Sequence, residues 1–262
     1  MSEDIDQAKR QTAIANRILS YVGLATGVRA SLGHVSMRLP NDPTRFLVKG
    51  RGYRMDIISR MRPEDMVTCD LEGRWVDGPE GSMPCNEVKM HSCIYQARPD
   101  VLSVVHVHPT FSVVLSTLGQ PIRPIAQEGI QLVRKPLPVY PHTKTVVTDE
   151  EGKEVASLLA DGNAMLLLGH GSATVGRSPE ESVMRMVHLE HQAQMTYYAL
   201  SAMGPNFQYV PDNLIEELII GQNNAALPHF KERAEALANA GFQRRLGGNI
   251  WGYLEEMVSP GL

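Results

Sequence analysis

Residues 101–109 read Val101-Leu102-Ser103-Val104-Val105-His106-Val107-His108-Pro109, an apolar, β-branched run that ends in two histidines two positions apart. β-Branched residues fit a pleated strand, and successive side chains of a strand point to opposite faces. His106 and His108 therefore share one face, and Val105 and Val107 take the other. Two neutral imidazoles side by side suit a divalent metal, and they equally suit the solvent side of an edge strand. The pair alone leaves both readings open. A third ligand and an acid/base partner elsewhere in the chain are what would decide between them.

Upstream, Ile5, Ala8, Ala13, Ile14, Ile18, Leu19 and Val22 recur at helical spacing and predict an amphipathic helix over 5–24. A loop through Ser31, Gly33 and His34 leads into a strand over 35–39, and Phe46-Leu47-Val48 reads as a second strand after the Pro40–Pro43 turn. Lys49-Gly50-Arg51-Gly52 is a glycine-rich loop too short for a phosphate-binding fingerprint. A strand over 66–69 turns through Asp70–Gly73 into 74–76. Asn86 reads as the cap of the next helix, with Glu87 in its first turn, and Arg98-Pro99-Asp100 stops that helix.

Downstream of the histidines, 110–118 and 151–159 read as helices. The segment 121–141 is proline-spaced and irregular, with Tyr140 and His142 in a loop near its end. Ala164–Leu168 is a strand of the buried type that runs into Gly169-His170-Gly171. Ser178-Pro179-Glu180-Glu181 is a strong helix start, with serine as cap, proline in the first position and acids in the first turn, and the helix runs to about Ala202. A polar, helical tail follows Gly204-Pro205. With no repeat and no linker, 1–262 is expected to be a single domain, with a core over 8–203 and a helical extension over 204–262.

His170 is the candidate third ligand; flanked by glycines at a strand end, it also fits a hydrogen-bonded core residue. Glu87 opens a helix just before the histidine strand, where its carboxylate serves either as a charge in the first turn or as an arm towards the same metal.

These residues occur in an order that resembles the class II aldolase/adducin family. The matching text is Pro84-x-x-Glu87-x-x-x-His91-x-x-Ile94-Tyr95-x-x-Arg98-Pro99-Asp100-Val101, then Val105-His106-x-His108-Pro109, then Leu168-x-His170-Gly171. Gly33-His34-Val35-Ser36-x-Arg38, Phe46-Leu47-Val48, Pro63-Glu64-Asp65 and Asp70-Leu71-Glu72-Gly73 match upstream in the same order. His106 lies 19 residues after Glu87, and His170 lies 64 after His106. The resemblance implies a three-layer α/β/α fold around a mostly antiparallel sheet. It also implies a homotetramer, or a multiple of it, with sites between subunits. It makes His106, His108 and His170 ligands of one divalent transition metal per subunit (Zn, Mn, Fe or Co), and Glu87 the catalytic acid/base.

Three loops depart from the sugar-phosphate aldolases of that family, whose phosphate loops read like Gly-Asn-(Ile/Val)-Ser, Pro-Ser-Gly and Ser-Ser-Glu. Here they read Gly33-His34-Val35-Ser36, Gly50-Arg51-Gly52 and Cys85-Asn86-Glu87. Small phosphate donors have given way to bulkier, more basic groups. A guanidinium at Arg51 matches a carboxylate with two parallel hydrogen bonds, and His34 adds a donor. The second acid tyrosine of the aldolases has no counterpart near Ala126-Gln127-Glu128. The sequence thus looks most like the branch that decarboxylates hydroxylated aromatic dicarboxylates.

That resemblance implies loss of CO₂ through a metal-stabilised enolate, protonated by a Glu87 whose carboxyl burial would raise. Ser31, His34, Arg51, Asn86, Tyr140 and His142 are the candidate substrate contacts. A class II aldolase of a non-phosphorylated hydroxy-keto acid is the alternative, followed by an Fe(II) oxygenase of hydroxyaromatic acids and a non-catalytic adducin-like module.

Composition reads as that of a soluble cytoplasmic domain and by itself says nothing about function. The chain carries a net charge of −4, so no basic excess marks a nucleic-acid face. No apolar run approaches the roughly 20 residues of a membrane span. The polar N-terminus does not read as a secretory signal. Cys69, Cys85 and Cys93 form no C-x-x-C pair and are expected as free thiols in a reduced cytoplasmic compartment.

Overall fold

The computed structural model describes residues 2–53, 56–221, 227–241 and 250–262; parts of the helical tail foreseen after 204 lie outside them. A nine-stranded sheet forms the middle layer. Its strands are β1 (His34–Leu39), β2 (Asp42–Arg51), β3 (Met66–Asp70), β4 (Trp75–Asp77), β5 (Met83–Pro84), β6 (Ser103–Val107), β7 (Val139–Tyr140), β8 (Ala164–Leu167) and β9 (Gly171–Gly176). Their spatial order is β4-β3-β2-β1-β6-β9-β8-β7, with β5 paired to β2 off this path. Every pairing is antiparallel except β7 with β8. The histidine strand β6 is therefore central, between β1 and β9, and not at an edge.

The helices are α1 (Ser2–Tyr21), α2 (Val88–Ala97), α3 (Thr110–Leu118), α4 (Asp149–Leu159), α5 (Pro179–Met203), α6 (Asp212–Gly221), α7 (Pro228–Asn239) and α8 (Ile250–Val258). The alternation of β6 assigns them to layers. Val105 and Val107 face a core built with Ile14 and Ile18 of α1, Leu115 of α3, Met186 and Leu189 of α5, and Trp251 and Leu254 of α8. Val104 faces the opposite core, built with Met90, Ile94 and Tyr95 of α2 and Val155 and Leu159 of α4. The fold is the expected three-layer α/β/α arrangement. The last helix of the C-terminal extension returns to the core beside α1 rather than trailing from it.

Several boundaries differ from the sequence reading, each for a physical reason. β2 runs through Arg51 because Gly50 and Arg51 pair with Pro84 and Met83, so the expected glycine loop is mostly strand. β9, a stretch for which the sequence predicts no element, is a full strand between β6 and β8. Its Ser172, Ala173 and Thr174 lack the apolar alternation that would have marked it. Tyr140 is not in a loop: it pairs with Leu167 as part of β7 and is buried in the α2/α4 core.

Candidate active site

Strand alternation puts His106 on the α2/α4 side of the sheet, and the register sets His34 of β1 directly opposite it. Helix α2 begins above them. Its N-cap is Glu87, not Asn86, and the Glu87 carboxylate makes no capping bond. It is drawn into the site instead, where Oε2 lies 3.1 Å from His106 Nε2 and Oε1 lies 3.6 Å from His170 Nε2. The Val146 amide donates to Oε1 at 3.2 Å. His108 Nε2 is 3.1 Å from His106 Nε2. One donor atom from each of Glu87, His106, His108 and His170 lies within 4.8 Å of every other. The structure thus brings together all four residues singled out as metal ligands and acid/base.

The donor set fits a divalent cation. The Ser172 carbonyl can only accept, so His106 donates Nδ1–H to it at 3.0 Å and a neutral ring presents a bare lone pair at Nε2. That lone pair faces the Glu87 carboxylate and the Nε2 of His108 at close range. Such convergence of electron-rich atoms calls for a proton or a metal ion. An imidazole fixed by a carbonyl on its far nitrogen is the usual support of a metal-bound histidine. On His170 the buried Nδ1 has no partner at hydrogen-bonding geometry among the described residues, although the Lys144 carbonyl stands beside the ring. Close approach by β9 makes room for this packing. A Cβ on Gly171 would lie 2.4 Å from the Val107 carbonyl oxygen, 2.9 Å from His106 Cε1 and 3.1 Å from His108 Cδ2.

Charge in this site runs against one expectation. Burial alone would raise the Glu87 carboxyl, but His106 and His34 outweigh it and hold the group well below the usual carboxylate range. Burial pushes the His34 imidazole down to about 4, and burial with His106 and His170 takes His108 to about 3. The site is therefore an ionised carboxylate beside His34 and His108, whose imidazoles burial keeps from taking up protons.

The substrate-contact candidates separate. His34 is buried, with Nε2 3.8 Å from Glu87 Oε2. Arg51 is half-buried at the end of β2, paired with the strand that leads to Glu87. Ser31 is half-buried, and its carbonyl accepts from the buried Lys49 Nζ at 2.7 Å. Asn86 is exposed beside Glu87. Tyr140 is directed away: its hydroxyl donates to Glu154 at 3.1 Å, and exposed His142 packs on its ring at 5.0 Å. Within this chain neither reaches the histidine cluster.

A second polar group was not read as a unit. His34 Nδ1 is 2.6 Å from His91 Nε2, His91 Nδ1 is 2.6 Å from Ser36 Oγ, and Ser36 Oγ is 2.7 Å from the Tyr95 hydroxyl. The signal was available: 34 and 36 share one face of a strand, and 91 and 95 share one face of a helix. His188 of α5 is half-buried, packed against Gly129.

Residues 10–197 match the family described as Class II Aldolase and Adducin N-terminal domain. The chain belongs to this family. Among its relatives is a 3,4-dihydroxyphthalate decarboxylase from Arthrobacter keyseri, 30% identical over 218 residues, spanning 80% of this chain and 86% of the relative. A 5-methylthioribulose-1-phosphate/5-deoxyribulose-1-phosphate aldolase from Rhodospirillum rubrum is 31% identical over 220 residues, spanning 82% of this chain and 92% of the relative. An aldolase II superfamily protein of known structure from Pseudomonas syringae has a TM-score of 0.73 at 21% identity, covering 92% of this chain and 94% of that one, a likeness of fold. Among the described residues, no helix of this family member is long and apolar enough to cross a membrane.

Proposed function

We propose that this protein is a divalent-metal-dependent carbon–carbon lyase that decarboxylates a hydroxylated aromatic carboxylate or dicarboxylate without oxidation. The observation that carries the reading is the composition of the site. An ionised Glu87 stands among His106, His108 and His170, and the neighbouring strand ends offer His34 and Arg51 where phosphate-binding relatives of the aldolase type offer small donors. The similarity to 3,4-dihydroxyphthalate decarboxylase supports it.

His106, His108 and His170 would hold the ion, with Glu87 at its rim. A bound divalent ion supplies Lewis-acid charge to the substrate oxygens, a stabilisation worth several kcal/mol. The chain's own residues do the rest. Glu87 is ionised in the free site, so it accepts the proton of a hydroxyl next to the departing carboxylate. The C–C bond then breaks, CO₂ leaves, and the bonding pair stays on the ring carbon, spread into the ring. Glu87 returns its proton to that carbon, completing the C–H bond and restoring the carboxylate. Arg51 can pair with a second carboxylate at the site mouth. We take the working form to be a homotetramer with sites between subunits, acting in the cytoplasm.

The test is a CO₂-release assay over ortho-hydroxylated aromatic mono- and dicarboxylates with Mn²⁺, Fe²⁺, Co²⁺ or Zn²⁺. Release from at least one of them, abolished by chelation, supports the proposal. The second reading is an aldolase of a hydroxy-keto acid, favoured by the similarity to the Rhodospirillum rubrum aldolase. Retro-aldol cleavage without CO₂ release from any aromatic acid would replace the first reading with the second.

A further inference from the structure

Beside the metal-ligand cluster runs a buried chain of four polar side chains, and its two ends determine which way its protons point. The chain is Tyr95, Ser36, His91 and His34, linked by the 2.7, 2.6 and 2.6 Å contacts above. All four are buried, with Ser36 and His91 fully shielded from solvent. An additional charge on either imidazole would have to be carried in a low-dielectric interior, so each neutral ring has one N–H and one lone pair.

Two arrangements of protons are consistent with those contacts. In the first, Tyr95 donates to Ser36, Ser36 donates to His91 Nδ1, and His91 Nε2–H donates to His34 Nδ1. His34 then carries its own proton on Nε2, the nitrogen that faces Glu87 Oε2 at 3.8 Å. In the second, every bond is reversed. His34 Nδ1–H donates to His91, His91 Nδ1–H donates to Ser36, and Ser36 donates to Tyr95. The reversed arrangement fails at both ends. Among the described residues Ser36 Oγ is the only acceptor bonded to the buried Tyr95 hydroxyl, so reversal strands the phenolic proton. It also turns a bare His34 Nε2 lone pair towards an anionic carboxylate.

We infer that His34 is a hydrogen-bond donor into the active site, presenting Nε2–H towards Glu87, and that His91, Ser36 and Tyr95 are positioning residues that fix this tautomer. His34 is thereby kept out of the metal's ligand set, although His34, Cys85 and His91 lie close enough together to look like a second metal-binding group. The direction of the relay also specifies the partner that His34 accepts. Its Nε2–H meets an oxygen with a lone pair to give, such as a carboxylate or an ionised hydroxyl, and rejects a group that can only donate. This role rests on the proposed function for its place in catalysis, and its proton arrangement stands without it.

The proton positions are directly observable. Long-range ¹H–¹⁵N correlation spectra of the metal-free full chain, labelled with ¹⁵N-histidine, report which ring nitrogen is protonated, and His34→Gln and His91→Gln spectra assign the two rings. The expected result is a single tautomer for each, with the proton on Nε2 of His34 and on Nε2 of His91. A His34 ring protonated on Nδ1, or doubly protonated at neutral pH, overturns the inference. Ser36→Ala cuts the bond between the Tyr95 hydroxyl and His91, so the Tyr95 end no longer opposes reversal and the reversed tautomer of His34 should become detectable. An unchanged spectrum would overturn the part assigned to Ser36 and Tyr95. Neutron diffraction on wild-type crystals makes the same reading without any variant having to fold. Adding ¹¹³Cd²⁺ should leave the His34 nitrogens uncoupled to the metal, and a cadmium coupling at His34 would refute its role as a donor. Failure of the decarboxylase reading would leave these spectra as they are, and a reversed tautomer in the wild-type chain would overturn the inference whether or not CO₂ is released.

Discussion

Gly171 passes so close to His106 that a methyl group on its Cα would lie 2.9 Å from the imidazole Cε1. The same methyl would meet the Val107 carbonyl oxygen at 2.4 Å, and a backbone atom cannot swing aside as a flexible side chain does. Gly171→Ala should therefore force β9 away from β6, at a cost of about 1–3 kcal/mol. Because His106 and His108 are carried on β6, metal affinity should fall in the same variant. Gly252 offers the contrast: it lies within α8, where an added methyl would meet nothing within 4 Å among the described residues, so Gly252→Ala should stabilise by about 0.5–1 kcal/mol. Urea unfolding and zinc titration of both variants check this. Equal stability of the two would show that β9 gives way easily.

Much of this arrangement could be read from the sequence, and the parts that could not share a cause. Alternation at 104–108 put His106 and His108 on one face, and the spacing of family-like motifs placed Glu87 and His170 with them. What escaped were features set by pairing. β9 is a polar strand held between two neighbours, so it carries little hydrophobic signature of its own. Asn86 has the chemistry of a helix cap, but His106 and the Val146 amide hold Glu87 in the cap position and turn its carboxylate inward. The charge of Glu87 was misread for the same reason, since burial was visible and its two imidazole neighbours were not. Tyr140 looked like a loop residue because a two-residue strand is too short to show a period.

The turn after His108 is clamped from two sides. Arg29 Nη1 donates to the His108 carbonyl at 2.7 Å and to Thr110 Oγ1 at 2.8 Å. Glu190 of α5 accepts the Phe111 and Ser112 amides at 2.7 and 2.9 Å, satisfying amides at the start of α3 that no carbonyl of the helix can reach. Glu190→Ala leaves those donors unpaired and should cost about 1–3 kcal/mol. Arg29→Ala acts on the ligand more than on the fold. It should weaken metal binding by about 10–100-fold, the range typical of groups that orient a metal ligand. Thermal melts combined with metal titration separate the two effects. Wild-type affinity in Arg29→Ala would show that β6 orients His108 without help.

The His34–His91 pair gives the metal-free protein a defined response to acid. Burial takes His34 down to about 4 and holds His91 well below its ordinary value, whereas unfolded histidines titrate near 6.5. Between those values the unfolded chain binds more protons than the native one, so stability falls as pH is lowered from about 6.5 towards 4. For His34 alone the loss is on the order of 3 kcal/mol across that window. Chemical denaturation of the metal-stripped protein at pH 7 and pH 4.5 measures it, and His34→Gln should flatten the slope. Constant stability over this range would mean that the native pair takes up protons as freely as the unfolded chain.

Glu87 and His106 face each other across 3.1 Å, but their removal should have different consequences. In the proposed site His106 supplies a ligand nitrogen from the middle of the sheet, so His106→Ala should reduce metal content from about one ion per chain to a small fraction and abolish turnover with it. In the proposed function Glu87 stands at the rim and moves the proton. Glu87→Gln keeps the shape and one acceptor oxygen but cannot take the hydroxyl proton or return it to carbon. Its metal content should therefore remain close to wild type while turnover drops by about 10²–10⁴-fold, the usual contribution of a general acid/base. Elemental analysis of the purified variants, followed by steady-state kinetics with saturating Mn²⁺ or Zn²⁺, separates holding the ion from moving the proton. If Glu87→Gln lost metal as completely as His106→Ala, Glu87 would count as a fourth ligand, and the proton would have to come from another residue.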